Sequence, residues 1–452
     1  QMKFSPNAAA ALGKLVPGYS MSTQTVSSAS ENYRGRDLLV MIDGVPMNTP
    51  LRAATGLLVN AQLASLSDNG QAYGTIEHGA LAWRGGRLVF VGKQAELPDE
   101  LLAEFPEPLD AHGAWITPAL IDCHTHLVFA GNRAKEAEQR LQGVSYSDIA
   151  KAGGGILSSV RHTREADEEA LFAQSLPRLQ ALIADGVACV EIKSGYGLDL
   201  DNERKMLRVA KRLGEHAGIT VKTTYLAAHA LPPEFAGRSD DYINAICAWL
   251  PILHAEGLAD AVDVFCEGIG FSPAQSRRVF EAAQHLNLPV KCHADQLSDL
   301  SGAGLVAEFS GLSADHLEYT SEDSVRAMAA AGTIAVMLPG AFHVLRETKL
   351  PPLDAFRMHG VPMAVATDCN PGTAPMLSLR LAMAMACTHF KLTPEEALRG
   401  ATVSAAKALG LSDRGQLAIG QRADIALWNI KHPSELCYWL GGNLLERLIL
   451  SR

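Results

Sequence analysis

The stretch Ile121-Asp122-Cys123-His124-Thr125-His126-Leu127 closes an apolar run over residues 114–121 and sets two imidazoles two positions apart. Residues two apart on an extended chain point to the same side, so His124 and His126 can converge on one point. Neutral imidazole is the commonest protein ligand for a divalent metal. A bare H-x-H also arises by chance as two unrelated surface histidines, so the reading needs partners from elsewhere in the chain.

Working outward, apolar β-rich runs alternate with helix-like stretches between residues 116 and 411, the pattern of a parallel sheet with covering helices. The first strand ends at the opening motif, and further strands are expected at 187–192, 220–228, 261–267, 289–292, 313–315, 333–338 and 362–367. The helix over 272–286 opens on Ser272-Pro273, a cap followed by a first-turn proline. Eight strands in this order predict an α/β fold, a (β/α)8 barrel of the TIM type, in which the C-terminal strand ends meet at one mouth. Strands one, three, five, six and eight end at His124 and His126, His229, His293, His316 and Asp368.

The flanks read differently. Short β-like runs at 57–66, 80–83 and 88–92 are punctuated by Asp68-Asn-Gly70 and Gly85-Gly86 turn signals. A matching β run covers 415–428. Neither end can bury an adequate core alone, so a small β-sandwich built from both ends is expected, 53–115 with 415–452, around a barrel over 116–414. Residues 1–52 contain four prolines and a Ser/Thr/Asn-rich patch. Residues 34–50 resemble a fragment of the plug domain of TonB-dependent receptors. No alternating barrel strands follow it, so receptor function is not carried over, and the segment is read as a dispensable extension.

Composition excludes several classes. Of the 452 residues 48% are hydrophobic and 19% charged, which is globular. The net charge of −10 argues against a nucleic-acid or anionic-membrane surface. No run nears the roughly 18 apolar residues of a membrane helix. Eight cysteines without C-x-x-C spacing fit a reducing cytoplasm. The run over 436–440 is apolar enough to be core or a homodimer interface.

A hydrolytic metal site needs a few N/O ligands and an open position for water. His124, His126, His293 and Asp368 can supply it, with His229 and His316 nearby. The fourth strand has no lysine to bridge two metals, so one metal is expected, with Zn²⁺ and Fe²⁺ both compatible with the donors.

With these residues in view, the chain resembles the amidohydrolase superfamily and, within it, the imidazolonepropionase family, from about residue 57 to 443. The segments that carry the resemblance are Asp122–Arg133, Lys193-Ser-Gly-Tyr-Gly197, Leu226-Ala-Ala-His229, His293-Ala-Asp-Gln296, Ala366–Thr373 and the closing Gly-Gln-Arg-Ala-Asp424. The resemblance implies that His124, His126, His293 and Asp368 hold the metal. It implies further that Arg133, Tyr146, Tyr196, His229, Asn370, Gly372 and Thr373 line a pocket for a small-molecule substrate, 4-imidazolone-5-propanoate, hydrolysed to N-formimidoyl-L-glutamate in histidine degradation. A metal would lower the pKa of bound water. Asp368 would carry its proton to the leaving nitrogen, and His316 would orient Asp368 or stabilise the oxyanion. Arg133 would pair with the propanoate, its alternative being a surface arginine. The alternative for Tyr146 and Tyr196 is packing. Gln296 can bind substrate by hydrogen bonds but cannot relay a proton, which leaves the catalytic relay to Asp368 with His316 or His229 and disfavours the main rival, a mononuclear heterocycle deaminase.

Overall fold

The computed structural model describes residues 50–144 and 153–451, with residues 33–34, 37–38, 41–42, 45–46 and 148 besides. Tyr146 and most of the N-terminal extension lie outside the described residues.

Eight parallel strands pair in sequence order. They are Leu120–Asp122, Val187–Lys193, Thr220–Ala228, Ala261–Cys266, Lys291–Ala294, Ser313–His316, Ile334–Met337 and Met363–Val365. Most of their residues are buried on both faces, as expected where helices cover a parallel sheet. The circle closes just beyond the strands. Asp122 accepts from the Thr367 backbone N–H at 3.1 Å and the Thr367 hydroxyl at 2.6 Å, and Asp368 N–H donates to the His124 carbonyl at 3.0 Å. The seam between the first and last strands therefore runs through the opening motif.

The covering helices start where the sequence supplies caps. Asp199 caps Leu200–Ala217 through the Asn202 N–H, and Gly218 ends it in the left-handed region. Ser272 and Gln275 form a reciprocal capping box on Pro273–His285.

Both chain ends build a second sheet, in the order Leu51–Arg52, Leu445–Leu450, Ile425–Trp428, Trp115–Pro118, Gly56–Ala64, Thr75–Arg84, Arg87–Lys93. The Gly85-Gly86 turn has both residues at positive φ, which suits a two-residue hairpin. The apolar run over 114–121, from which the barrel was expected to begin at 116, is divided between the sheets. Trp115–Pro118 pairs antiparallel with Ile425–Trp428, and Leu120–Asp122 joins the barrel. Pro118 cannot donate to a ladder, and Ala119 N–H turns to the Asp424 carbonyl. Trp428 locks the two bodies: its indole donates to Thr117 Oγ1 at 2.8 Å, and its ring fills the space over Gly186, where a Cβ would come within 2.5 Å.

Candidate active site

His124, His126, His293, His316 and Asp368 are all buried at one mouth of the barrel. His124 Nε2 lies 3.3 Å from His126 Nε2, which lies 3.2 Å from His293 Nε2. Asp368 Oδ1 is 3.4 Å from both His124 Nε2 and His126 Nε2. The strand ends thus bring the four expected ligands together. His124, His126 and Asp368 form one compact donor group, and His124, His293 and His316 an overlapping one. Two of these residues sit on left-handed backbone, His316 at φ 83° and Asp368 at φ 53°. Such strain in non-glycine residues is tolerated where surrounding structure imposes it, commonly at functional sites.

The donor geometry fits a cation. His124 Nδ1 lies 2.5 Å from Asp315 Oδ2, and His293 Nδ1 lies 3.0 Å from Asp263 Oδ2. A proton on Nδ1 in each ring leaves Nε2 as a lone pair. Nε2 lone pairs about 3 Å apart in a buried site repel one another, and a positive ion at their centre reverses that. Burial, helped by Lys193 and neighbouring imidazoles, drives the His124 pKa well below the usual histidine range. Burial likewise lowers His126 and His316, keeping the rings neutral as ligands must be. Burial also lifts Asp368 to about 7, opposed chiefly by His293.

Around this centre, His229 stacks on His126 with ring centroids 5.1 Å apart. Its Nδ1 lies 2.9 Å from the Gly195 carbonyl, which fixes that proton and turns Nε2 into an acceptor. Burial lowers its pKa to about 4. Gly195 stands at φ 111°, where a Cβ would come within 2.9 Å of that ring, so the position demands glycine. Tyr196 is buried, with its ring near His126, His229 and Phe129. One oxygen of buried Glu203 accepts the N–H groups of Gly195, Gly197 and Leu198 at 3.1, 2.9 and 2.8 Å, pinning the loop that presents Tyr196.

Arg133 is nearly buried, its Nε donating to Glu136 at 2.8 Å. A Cβ on Gly372 would come within 2.3 Å of its Nη1, so the guanidinium lies directly over that glycine. Asn370 builds the supporting turn. Its Oδ1 accepts from the Gly372, Thr373 and Ala374 N–H groups, and its Nδ2 donates to the Asp368 carbonyl and to Thr373 Oγ1. Gln296 is partly exposed in the turn after the fifth strand.

Several residues beneath and beside the site escaped the sequence reading. Asp263, Asp315, Lys193, Glu191 and Lys291 are charged residues inside strands that are otherwise apolar, and that contrast was the available signal. Glu318, two residues past His316, is buried and its carboxyl is lifted by burial to about 8.

The comparisons with known proteins agree with this geometry. The model of the amidohydrolase family matches residues 266–444. Among solved structures, a triazine hydrolase variant superposes with a TM-score of 0.68 at 16% identity, covering 88% of this chain and 94% of its own. A zinc-bound adenosine deaminase from Xanthomonas campestris gives 0.64 at 17%, covering 89% and 92%. An eight-stranded parallel barrel with clustered, buried His and Asp side chains at its mouth and an accessory sheet is the architecture of the metal-dependent amidohydrolases. The imidazolonepropionase of Pseudomonas aeruginosa UCBPP-PA14 is 60% identical over 382 residues, 84% of this chain and 94% of that protein. That of Ralstonia nicotianae GMI1000 is 62% identical over 389 residues, 86% and 95%, and that of Psychrobacter cryohalolentis K5 is 54% identical over 392, 86% and 92%. The chain belongs to the imidazolonepropionase family.

Proposed function

We propose that this site hydrolyses the cyclic amide of 4-imidazolone-5-propanoate to N-formimidoyl-L-glutamate, in histidine degradation. The carrying observation is the convergence of His124, His126, His293 and Asp368 on one buried point, in a chain about 60% identical to imidazolonepropionases.

A single divalent ion, Zn²⁺ or Fe²⁺, held by those four residues would polarise the reacting groups and lower the pKa of water toward neutrality. The chain's own groups do the rest. Asp368 takes the proton of the attacking water as the new C–O bond forms at the ring carbonyl carbon. It returns that proton to the ring nitrogen as the C–N bond breaks, so one water is consumed and no other reactant is needed. His316, neutral and beside His293, orients the water and Asp368 and meets the developing oxyanion. His229 Nε2, an acceptor because Nδ1–H is fixed on Gly195, receives a ring N–H of the substrate. Arg133 pairs with the propanoate, and the Asn370–Thr373 turn and Gln296 frame the ring. Tyr196 closes the wall between Arg133 and His126, and Tyr146 is placed in the same pocket from the family resemblance alone.

The test is incubation of the purified chain with 4-imidazolone-5-propanoate, following loss of its ultraviolet absorbance and formation of formimidoylglutamate. Turnover that vanishes in Asp368→Asn is the expected result. Ammonia release from aminoazoles with no loss of imidazolone absorbance would instead establish the deaminase reading that neighbours such as the adenosine deaminase suggest.

We also place the protein in the cytoplasm. The eight cysteines are unbridged, and no helix among the described residues is long and apolar enough to cross a membrane. Tyr438, Trp439 and Leu440 are exposed and suit a homodimer contact, which sedimentation checks.

A further inference from the structure

Barrel interiors are ordinarily filled by layers of branched apolar side chains. Here the layer below the histidines is ionic. Lys193 ends the second strand and its side chain is completely buried. Its Nζ lies 2.8 Å from Glu191 Oε2, 2.8 Å from Asp263 Oδ2 and 3.8 Å from Asp315 Oδ2. The last two carboxylates touch the histidines above: Asp263 meets His293 Nδ1 at 3.0 Å, and Asp315 meets His124 Nδ1 at 2.5 Å.

One ammonium therefore sits under two carboxylate–imidazole pairs that belong to strands far apart in sequence. We infer that Lys193 is a positioning residue which, through Asp263 and Asp315, fixes the orientation of His293 and His124 toward the metal. Lys193 Nζ meets its carboxylates at ion-pair distances without good hydrogen-bond angles, so its hold is chiefly Coulombic and strong in a sealed interior. Without it, two carboxylates would face each other in a dry cavity and spread apart, taking the imidazoles with them. A role in stability alone explains the arrangement less well, because burying ions costs several kcal/mol each and apolar packing usually does as well or better. Lys291 completes the layer: its Nζ is 3.0 Å from Glu191 Oε1 and donates to the Cys123 carbonyl at 2.9 Å, next to His124.

This inference rests on the metal reading of the site, so the experiment separates the two. Zn²⁺ affinity is measured by competition with a chromophoric chelator, alongside the melting temperature, for the full chain, for Lys193→Met and for the charge-balanced Glu191→Gln/Lys193→Met. A wild-type chain that binds no Zn²⁺ would overturn the metal site itself. With wild-type binding in place, the expected result is a double variant that melts near wild type yet binds Zn²⁺ roughly 10- to 100-fold more weakly, the usual effect of losing a group that supports ligands. Its Co²⁺ absorption bands should shift as well. Unchanged affinity in the folded double variant would overturn the proposal. Should neither variant fold, the milder Lys193→Gln is measured in the same way: weaker Zn²⁺ binding at a near wild-type melting temperature supports the proposal, and wild-type affinity overturns it.

Discussion

Arg133 is held on one edge and open on the other. Glu136 takes its Nε, while Nη1 lies over the bare backbone of Gly372. A planar fork of that kind suits a carboxylate better than an ammonium does. Arg133→Lys should therefore raise KM for the imidazolone about tenfold, as expected for one charge-assisted hydrogen bond of about 1.5 kcal/mol, with kcat nearly unchanged. Gly372→Ala should give the same signature for a different reason. The new Cβ would displace a flexible guanidinium rather than backbone, so KM rises while the melting temperature barely moves. Steady-state kinetics on both variants check this, and an unmoved KM in both would remove Arg133 from the carboxylate. At this scale the convergence of His124, His126, His293 and Asp368 was legible because strand ends in a barrel point to one mouth. Asp263 and Asp315 were not, because a charged residue in an apolar strand stands out in sequence without showing that its partner is an imidazole on another strand.

Elements carry the next layer of explanation. The loop after the second strand is rigid because Glu203, one turn into the following helix, gathers three of its N–H groups. Glu203→Gln keeps an acceptor but loses charge, and hydrogen bonds to a charged acceptor are roughly twice as strong as neutral ones. The expected outcome is a several-fold rise in KM with a smaller fall in kcat, as Tyr196 and the Gly195 carbonyl loosen around His229. By contrast Ser272→Ala removes half of a capping box whose side chains bond none of the clustered histidines or Asp368. It should cost about 1 kcal/mol of stability in denaturant melts and leave turnover alone.

Element limits were legible where capping and β-branched runs are strong: Thr220–Ala228 falls where the pattern puts it, and the capped Pro273–His285 lies within the expected 272–286. They were not legible where two sheets share one run, as at Pro118. The reading also failed over 415–424, apolar enough to suggest a strand but carrying Gly415 and Gly420 at φ 97° and 86°, so only Ile425–Trp428 is extended. The strand Leu445–Leu450, which lies between Ile425–Trp428 and Leu51–Arg52, was hidden because it is set by those pairings and not by local alternation.

The whole molecule ties its ends together. Leu51–Arg52 pairs with Leu445–Leu450, and Arg52 donates to the Ala217 carbonyl at 2.8 Å. Removing residues 1–49 should thus leave melting temperature and turnover unchanged, whereas removing residues 1–55 should lower the melting temperature by several degrees. Scanning calorimetry on the two truncations reads this directly.

Histidine burial gives the molecule a pH dependence whose sign can be worked out. The folded pKa of His229 is lowered to about 4, mainly by burial, while the unfolded chain titrates near 6.5. Between those values the unfolded state binds a proton that the folded state refuses. Stability supplied by the neutral ring is thus complete above about pH 6.5 and is lost as pH falls toward 4. Asp122 acts in the opposite sense: burial raises it to about 7, so the folded state takes up a proton first and gains stability on acidification. That contribution is shared by wild type and a His229→Gln variant, and cancels in their difference. The difference in unfolding free energy should be flat above pH 7. Below pH 6.5 it should move in favour of the variant by about 1.4 kcal/mol per pH unit at most. Urea titrations at pH 7.5, 6.0 and 5.0 measure it. A difference that stays constant across all three would mean that the ring protonates freely in the folded barrel, and that burial does not hold His229 neutral.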